Sequence, residues 1–131
     1  MPVIDASVLV ARFHSGDKFH EKSVGIFENL IEGGKVLRVP SLAFIEVAAA
    51  VRRQTKSTPL ANAVLRALKN LKMEVWDLDD VLTRSAERIA ATTGMRGADA
   101  VYVAVAMECG DSIVTLDAEL KKRATEFVDV V

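Results

Sequence analysis

The feature that most constrains the fold of this chain is an alternation of short apolar runs with longer segments of helical periodicity. Apolar runs at 2–5, 36–39, 73–78, 112–115 and 127–131 are typical of buried strands. Segments of helical periodicity or high alanine content lie between them, at 7–13, 18–32, 42–53, 59–72, 80–93, 98–110 and 118–125. Since parallel neighbours need crossover connections, this order predicts an α/β fold, a three-layer α/β/α sandwich with a mostly parallel central sheet of about five strands.

Polar residues at the segment boundaries predict where helices begin. Asp17, Thr58 and Asp79 each precede a helical segment, where a side-chain oxygen can accept a hydrogen bond from a free backbone N–H. Pro59 supports a helix start after Thr58, because proline is well suited to the first helical turn. The segment 98–110 is apolar nearly all round, which predicts a buried helix.

Length and composition limit the class of protein. A chain of 131 residues fits one domain, 1–131, and half of its residues are hydrophobic while 27% are charged. It contains no apolar stretch of about 18 residues, no signal-peptide pattern and a single cysteine, Cys109, which together favour a soluble protein of the cytoplasm. The net charge of −1 gives no overall basic field, so a nucleic acid would be held by local patches or through metal ions.

Four acidic residues stand where a solvated charge is not expected. Asp5 ends the first apolar run and Asp117 follows the fourth, while Glu46 and Asp99 lie in apolar helical segments. Burying a carboxylate is costly unless it is paired, hydrogen-bonded or bound to a metal. In a parallel sheet, ligands gather beyond the carboxyl ends of the strands, where three of these acids are expected. We therefore predict that the four side chains meet at that edge.

Each acid also has a purely structural interpretation. The three aspartates could simply cap helices, and Glu46 could pair with Arg38 or Arg53. Taken together, however, carboxylates placed within a few ångströms of one another raise each other's pKa unless cations neutralise them. Ligation by oxygen alone favours Mg²⁺ or Mn²⁺ over Zn²⁺.

Four sequence motifs carry these acids: "VIDASVLV", "SLAFIEVAAAV", "GADAVYVAVA" and "DSIVTLDAEL". In this order they resemble PIN domain nucleases, and more narrowly VapC, the toxin of VapBC toxin–antitoxin pairs. The resemblance spans essentially the whole chain. It implies that the metal-binding and catalytic residues are Asp5, Glu46, Asp99 and Asp117. It also implies that Ser7 and Thr115 are neighbouring hydroxyls that orient the acids.

The same resemblance implies an activity and partners. It implies an endoribonuclease that hydrolyses phosphodiester bonds of single-stranded RNA with Mg²⁺ or Mn²⁺, a cognate antitoxin and a homodimer. Arg12 and Arg96 are possible contacts to the RNA backbone, with ordinary solvated charges as the alternative. Family members often carry a further aspartate after Thr-x-Asp, where this chain has Ala118 and Glu119. Glu119 could ligate a second ion or be an exposed helix residue, so the number of ions stays open.

Two other functions are compatible with the pattern. A phosphoacceptor receiver domain also gathers carboxylates around Mg²⁺, but it needs adjacent acids after the first strand, and here Asp5 is followed by Ala6. The acids after the third apolar run, such as Asp77, are interpreted as turn and cap residues. The remaining alternative is a non-catalytic PIN-fold binding module in which the acids only contact a partner.

Overall fold

The computed structural model of the protein describes residues 2–131, which form four strands and seven helices. The strands are β1 (Val3–Ile4), β2 (Leu37–Pro40), β3 (Met73–Trp76) and β4 (Ile113–Val114). The helices are α1 (Ala6–Phe13), α2 (His20–Glu32), α3 (Leu42–Thr55), α4 (Thr58–Lys69), α5 (Asp80–Thr93), α6 (Gly97–Cys109) and α7 (Ala118–Ala124).

The sheet has the strand order β3-β2-β1-β4, and every neighbouring pair of strands is parallel. Val3 in the central strand β1 is in register with Arg38 of β2 on one side and with Ile113 of β4 on the other. Because β1 is central and all strands run the same way, its carboxyl end opens between those of β2 and β4. The prediction of a mostly parallel sheet in an α/β/α sandwich is confirmed.

The predicted fifth strand at 127–131 is reduced to a single parallel bridge between Val130 and Ile113. The backbone N–H groups of Phe127 and Val128 donate to the carbonyl of Ala124, so these residues prolong the end of α7. Only the last residues remain free to pair with β4. The sheet of the described residues therefore has four strands rather than five.

Two groups of helices cover the sheet. Helix α6 contacts β1, β2 and β4 and packs against α5, while α1 to α4 pack together and α3 contacts β2. Residues 99–106 of α6 are all buried, as the apolar character of this segment predicts. None of the helices within residues 2–131 is both long and apolar enough to cross a membrane.

Helix starts agree with the sequence at Asp79 and differ at two other places. Asp79 accepts a hydrogen bond from the Leu82 N–H at 2.8 Å, as a predicted cap does. Helix α4 is capped by Ser57 instead of Thr58. The Asp17 carboxylate accepts the Phe19 N–H within a turn, so α2 begins only at His20.

Candidate active site

Four carboxylates from separate parts of the chain line one cavity of about 220 Å³. Asp5 follows β1, Glu46 lies in α3, Asp99 is in the first turn of α6, and Asp117 caps the start of α7. The full lining consists of Asp5, Ala6, Ser7, Glu46, Arg96, Ala98, Asp99 and Asp117. The structure thus brings the four acids together at the carboxyl edge of the sheet, as their sequence positions predict.

Two hydroxyl groups hold the buried Asp5. Its Oδ2 atom accepts hydrogen bonds from the hydroxyl groups of Ser7 at 2.6 Å and Thr115 at 2.8 Å. The Thr115 hydroxyl also accepts the backbone N–H of Asp117 at 2.9 Å. Thr115 therefore links the acid after β1 to the acid after β4. Asp5 is also the N-cap of α1, so capping and membership of the cavity are compatible.

Glu46 is held by the fully buried Tyr102, whose hydroxyl donates to Glu46 Oε1 at 2.7 Å. The same hydroxyl accepts the Ala6 N–H at 3.2 Å. Burial raises the pKa of Glu46, the bond from Tyr102 opposes the shift, and the negative charges of Asp5 and Asp99 add to it. The alternative pairing with Arg38 is not observed, because that guanidinium bonds Glu74 on the neighbouring strand at 3.0 Å.

Arg96 bridges two of the acids. Its Nε donates to Asp99 Oδ2 at 3.0 Å, and its Nη2 donates to Asp117 Oδ2 at 2.7 Å. Burial raises the pKa of Asp99, while the bond from Arg96 opposes this shift. Burial alone would also raise the pKa of Asp117, but the Leu120 backbone N–H and Arg96 outweigh it and hold that pKa below its usual range. Arg96 thus pairs with two carboxylates whose pKa values are shifted in opposite directions.

Comparison with known protein families shows to which family the chain belongs. The profile of the PIN domain matches residues 3–126, which is nearly the whole chain. The chain belongs to the PIN domain family. No curated protein matches it in sequence.

Solved structures with the same fold as this PIN domain come from several bacteria. Mycobacterium tuberculosis VapC20, described as a sarcin–ricin loop cleaving toxin, is 18% identical with a TM-score of 0.79, covering 99% of this chain and 98% of its own. Rickettsia felis VapBC2, solved with a DNA fragment from its promoter, is 13% identical with a TM-score of 0.73, covering 98% and 97%. FitAcB of Neisseria gonorrhoeae is 18% identical with a TM-score of 0.71, covering 99% and 96%.

The donor set of this PIN domain fits a hard divalent cation in its chemistry. All four acids offer carboxylate oxygens, the ligands that Mg²⁺ and Mn²⁺ prefer. As placed, however, no three Asp, Glu, His or Cys side chains within residues 2–131 stand close enough to hold one ion. Closing a ligand shell therefore requires the carboxylates to move toward one another, while Arg96 lies between two of them.

Arg12 and Glu119 lie outside the lining of the four-acid cavity. The Arg12 guanidinium stands over the rings of Phe13 at 5.1 Å and Phe27 at 5.9 Å, where it packs between α1 and α2. The Glu119 side chain is 65% exposed and pairs with Arg123 on the same helix at 3.4 Å. Glu119 lines a neighbouring cavity instead.

A larger cleft of about 520 Å³ adjoins the four-acid cavity and shares Ala6, Ser7 and Glu46 with it. Phe19 and Ile45 lie in its lining and are 37% and 69% exposed. Sequence reasoning missed this cleft. One residue could have indicated it. Ile45 is apolar and directly precedes Glu46, yet it lies off the buried face of α3, which is formed by Ala43, Val47 and Val51.

Proposed function

We propose that residues 1–131 form a single nuclease domain that hydrolyses phosphodiester bonds of single-stranded RNA with Mg²⁺ or Mn²⁺ in the cytoplasm. The observation that carries this proposal is the meeting of four carboxylates in one cavity of a chain that belongs to the PIN domain family. The description of the similar fold of VapC20 as a sarcin–ricin loop cleaving toxin supports RNA as the substrate class.

In the proposed site Asp5, Glu46, Asp99 and Asp117 hold the ion. When bound, the ion lowers the pKa of a water and offsets the negative charge that develops on the phosphate. Ser7 and Thr115 keep Asp5 in place by hydrogen bonds, and Tyr102 does the same for Glu46. Such outer contacts fix the orientation of ligand side chains and so tune their affinity for an ion.

The two arginines predicted to contact RNA differ in their support. Arg96 lines the cavity, and its side chain is 68% exposed, so it can reach a phosphate at the mouth. Arg12 packs on two phenylalanine rings and receives no support as a contact from its position. The proposal therefore keeps Arg96 at the RNA backbone and omits Arg12.

The decisive test is cleavage of end-labelled single-stranded RNA by the purified protein with Mg²⁺, with Mn²⁺ and with a chelator. Asp5→Asn and Asp99→Asn each weaken one proposed ligand and are expected to lower the cleavage rate by at least about 100-fold, the upper end of the loss typical when only a partner of a ligand is removed. Asp129→Asn is the matched control, since Asp129 is an exposed aspartate outside the cavity, and it should cleave like the wild type. Cleavage that persists in chelator, or in both site variants, would contradict the proposal.

The same assay separates the nuclease from a non-catalytic binding module. A binding module yields no metal-dependent products, whereas the nuclease yields products that depend on Asp99. The receiver-domain alternative is not carried further, because the chain belongs to the PIN domain family. In the structure Asp77 and Asp79 line a different cavity, beside Trp76, and Asp79 caps α5.

A protein partner is the second part of the proposal. The VapBC2 structure, which is similar in fold, bears the name of a toxin–antitoxin pair and supports an antitoxin partner for this chain. The cleft beside the acids has the exposed apolar side chains Phe19 and Ile45, which suit apolar side chains of an antitoxin segment. We also propose that the protein forms a homodimer. Light scattering after size-exclusion chromatography gives the mass in solution and so distinguishes a dimer from a monomer.

A further inference from the structure

Arg96 bridges two of the four acids that are proposed to hold the ion. Its guanidinium bonds Oδ2 of Asp99 and Oδ2 of Asp117 at once, at 3.0 and 2.7 Å. Asp99 contributes a side chain that is only 10% exposed, and that of Asp117 is 31% exposed, whereas the arginine side chain is 68% exposed. One largely exposed guanidinium thus pairs with two acids that belong to the proposed ion site.

The Arg96 side chain lines two cavities. Arg96 directly precedes α6, two residues after Gly94, where α5 ends. On the other side of Arg96 lies a second cavity of about 280 Å³, lined by Gly94, Arg96, Asp99, Glu119 and Arg123. Arg96 therefore borders two cavities, and the second one holds Glu119, whose carboxylate pairs with the Arg123 guanidinium at 3.4 Å.

A guanidinium and a divalent ion cannot share these oxygens at low cost. The two cations would lie a few ångströms apart at a partly buried site, where like charges repel strongly. Oδ2 of Asp99 and Oδ2 of Asp117 now accept the N–H groups of Arg96. An ion that takes these two oxygens therefore competes with Arg96 for them.

This inference rests on the proposed function. We infer that Arg96 is a positioning residue that stands in for the metal ion between Asp99 and Asp117, and that ion binding displaces it toward Glu119. In the metal-free protein Arg96 holds the two carboxylates near each other despite their like charge. After displacement its guanidinium lies at the rim of the cavity, where it is free to bind a phosphate of the RNA backbone.

Calorimetric titration with Mn²⁺ in the absence of RNA tests the competition. Arg96→Gln removes the competing charge, so its affinity for Mn²⁺ is expected to rise about 10-fold over the wild type. Arg96→Lys keeps the charge without the fork that bonds both acids, and its affinity should lie between the two. Arg66→Gln is the charge-matched control, since Arg66 is exposed on α4, and its affinity should equal that of the wild type.

The sign of the change separates this role from a merely structural one. If Arg96 only shaped the acids, Arg96→Gln would bind Mn²⁺ more weakly. A second measurement follows the Nε–H signal of Arg96 by ¹⁵N NMR, with the variant providing its assignment. We expect this N–H to exchange slowly with solvent while it is bonded to Asp99, and to exchange at the rate of exposed arginines once Mg²⁺ is added.

The possible results separate a failure of the inference from a failure of the proposed function. Tighter binding by Arg96→Gln together with release of the Nε–H on Mg²⁺ addition supports the inference. Ion binding by the wild type that is unchanged or weakened in Arg96→Gln overturns the inference and leaves the nuclease proposal standing. Absence of ion binding in every protein, together with RNA cleavage that ignores metal and chelator, overturns the proposed function and the inference with it.

Discussion

Tyr102→Phe removes a single oxygen atom at the point where the core meets the four-acid cavity. The Tyr102 hydroxyl donates to Glu46 and accepts the backbone N–H of Ala6, and the ring around it is fully buried. The substitution keeps the shape of the ring. It therefore isolates the two hydrogen bonds from the packing of α6.

The expected cost follows from these two bonds. Loss of a hydrogen bond to a charged group costs about 1.5–3 kcal/mol, and a buried N–H left without a partner costs about 1–3 kcal/mol. Since Glu46 is only half-buried, water replaces part of the first bond, and we expect a total of about 2–4 kcal/mol. For a chain of this length, a loss of this size lowers Tm by about 10 °C.

Urea unfolding followed by circular dichroism at pH 8 and pH 5 measures this loss. The loss should be larger at pH 8, because a larger fraction of Glu46 is ionised there than at pH 5 and the ionised carboxylate forms the stronger bond. In RNA cleavage the acidic limb of the pH profile should move to higher pH, because the hydroxyl that lowers the pKa of Glu46 is gone. Thr92→Val is the control, since it removes an exposed hydroxyl that bonds only a backbone carbonyl. A loss below about 0.5 kcal/mol with an unmoved acidic limb would refute the reasoning.

Three further predictions concern stability and activity. With chelator present, Glu46→Gln should stabilise the protein more at pH 8 than at pH 5. Burial raises the folded-state pKa of Glu46 above 4.5, so the fold loses stability as the pH rises and Glu46 ionises, and glutamine avoids that loss. Melting curves across this range check the sign, and equal shifts at both pH values would contradict it. Thr115→Val should slow RNA cleavage about 10- to 100-fold, because it breaks the link between Asp5 and Asp117, whereas Thr115→Ser keeps the link and the rate. Lys56→Gly should raise the free energy of unfolding by about 1 kcal/mol in urea titrations, since Lys56 ends α3 with φ of 59°; no gain would contradict this.

The arrangement of the four acids could be predicted from the sequence because it follows from topology. Asp5 and Asp117 come directly after short apolar runs, and parallel strands place such residues at one edge. Glu46 was recognisable as a charge without polar neighbours on its own helix. These inferences need only the order of strands and helices, which apolar periodicity indicates well.

The contacts among the acids could not be predicted, because they depend on side-chain conformations between distant segments. The bond of Tyr102 to Glu46 spans 56 residues, and the bond of Arg96 to Asp117 spans 21. Arg96 was expected to face RNA, but its position three residues before Asp99 at a helix start also allows the ion pair that the structure shows. The predicted fifth strand failed for a similar reason. Phe127 and Val128 continue the end of α7 instead of starting a strand, and strand periodicity does not reveal this local alternative.

The segment 127–131 shields the outer side of β4, the strand that leads into Thr115 and Asp117. Ile113 donates to Asp129 and accepts from Val131, and the Thr115 N–H reaches the Val131 carbonyl at 3.4 Å. Deleting this segment would lay bare a row of backbone donors and acceptors, which strands of other molecules readily adopt as a template. Truncated protein should therefore self-associate, and the strand that leads into Thr115 and Asp117 should loosen with it.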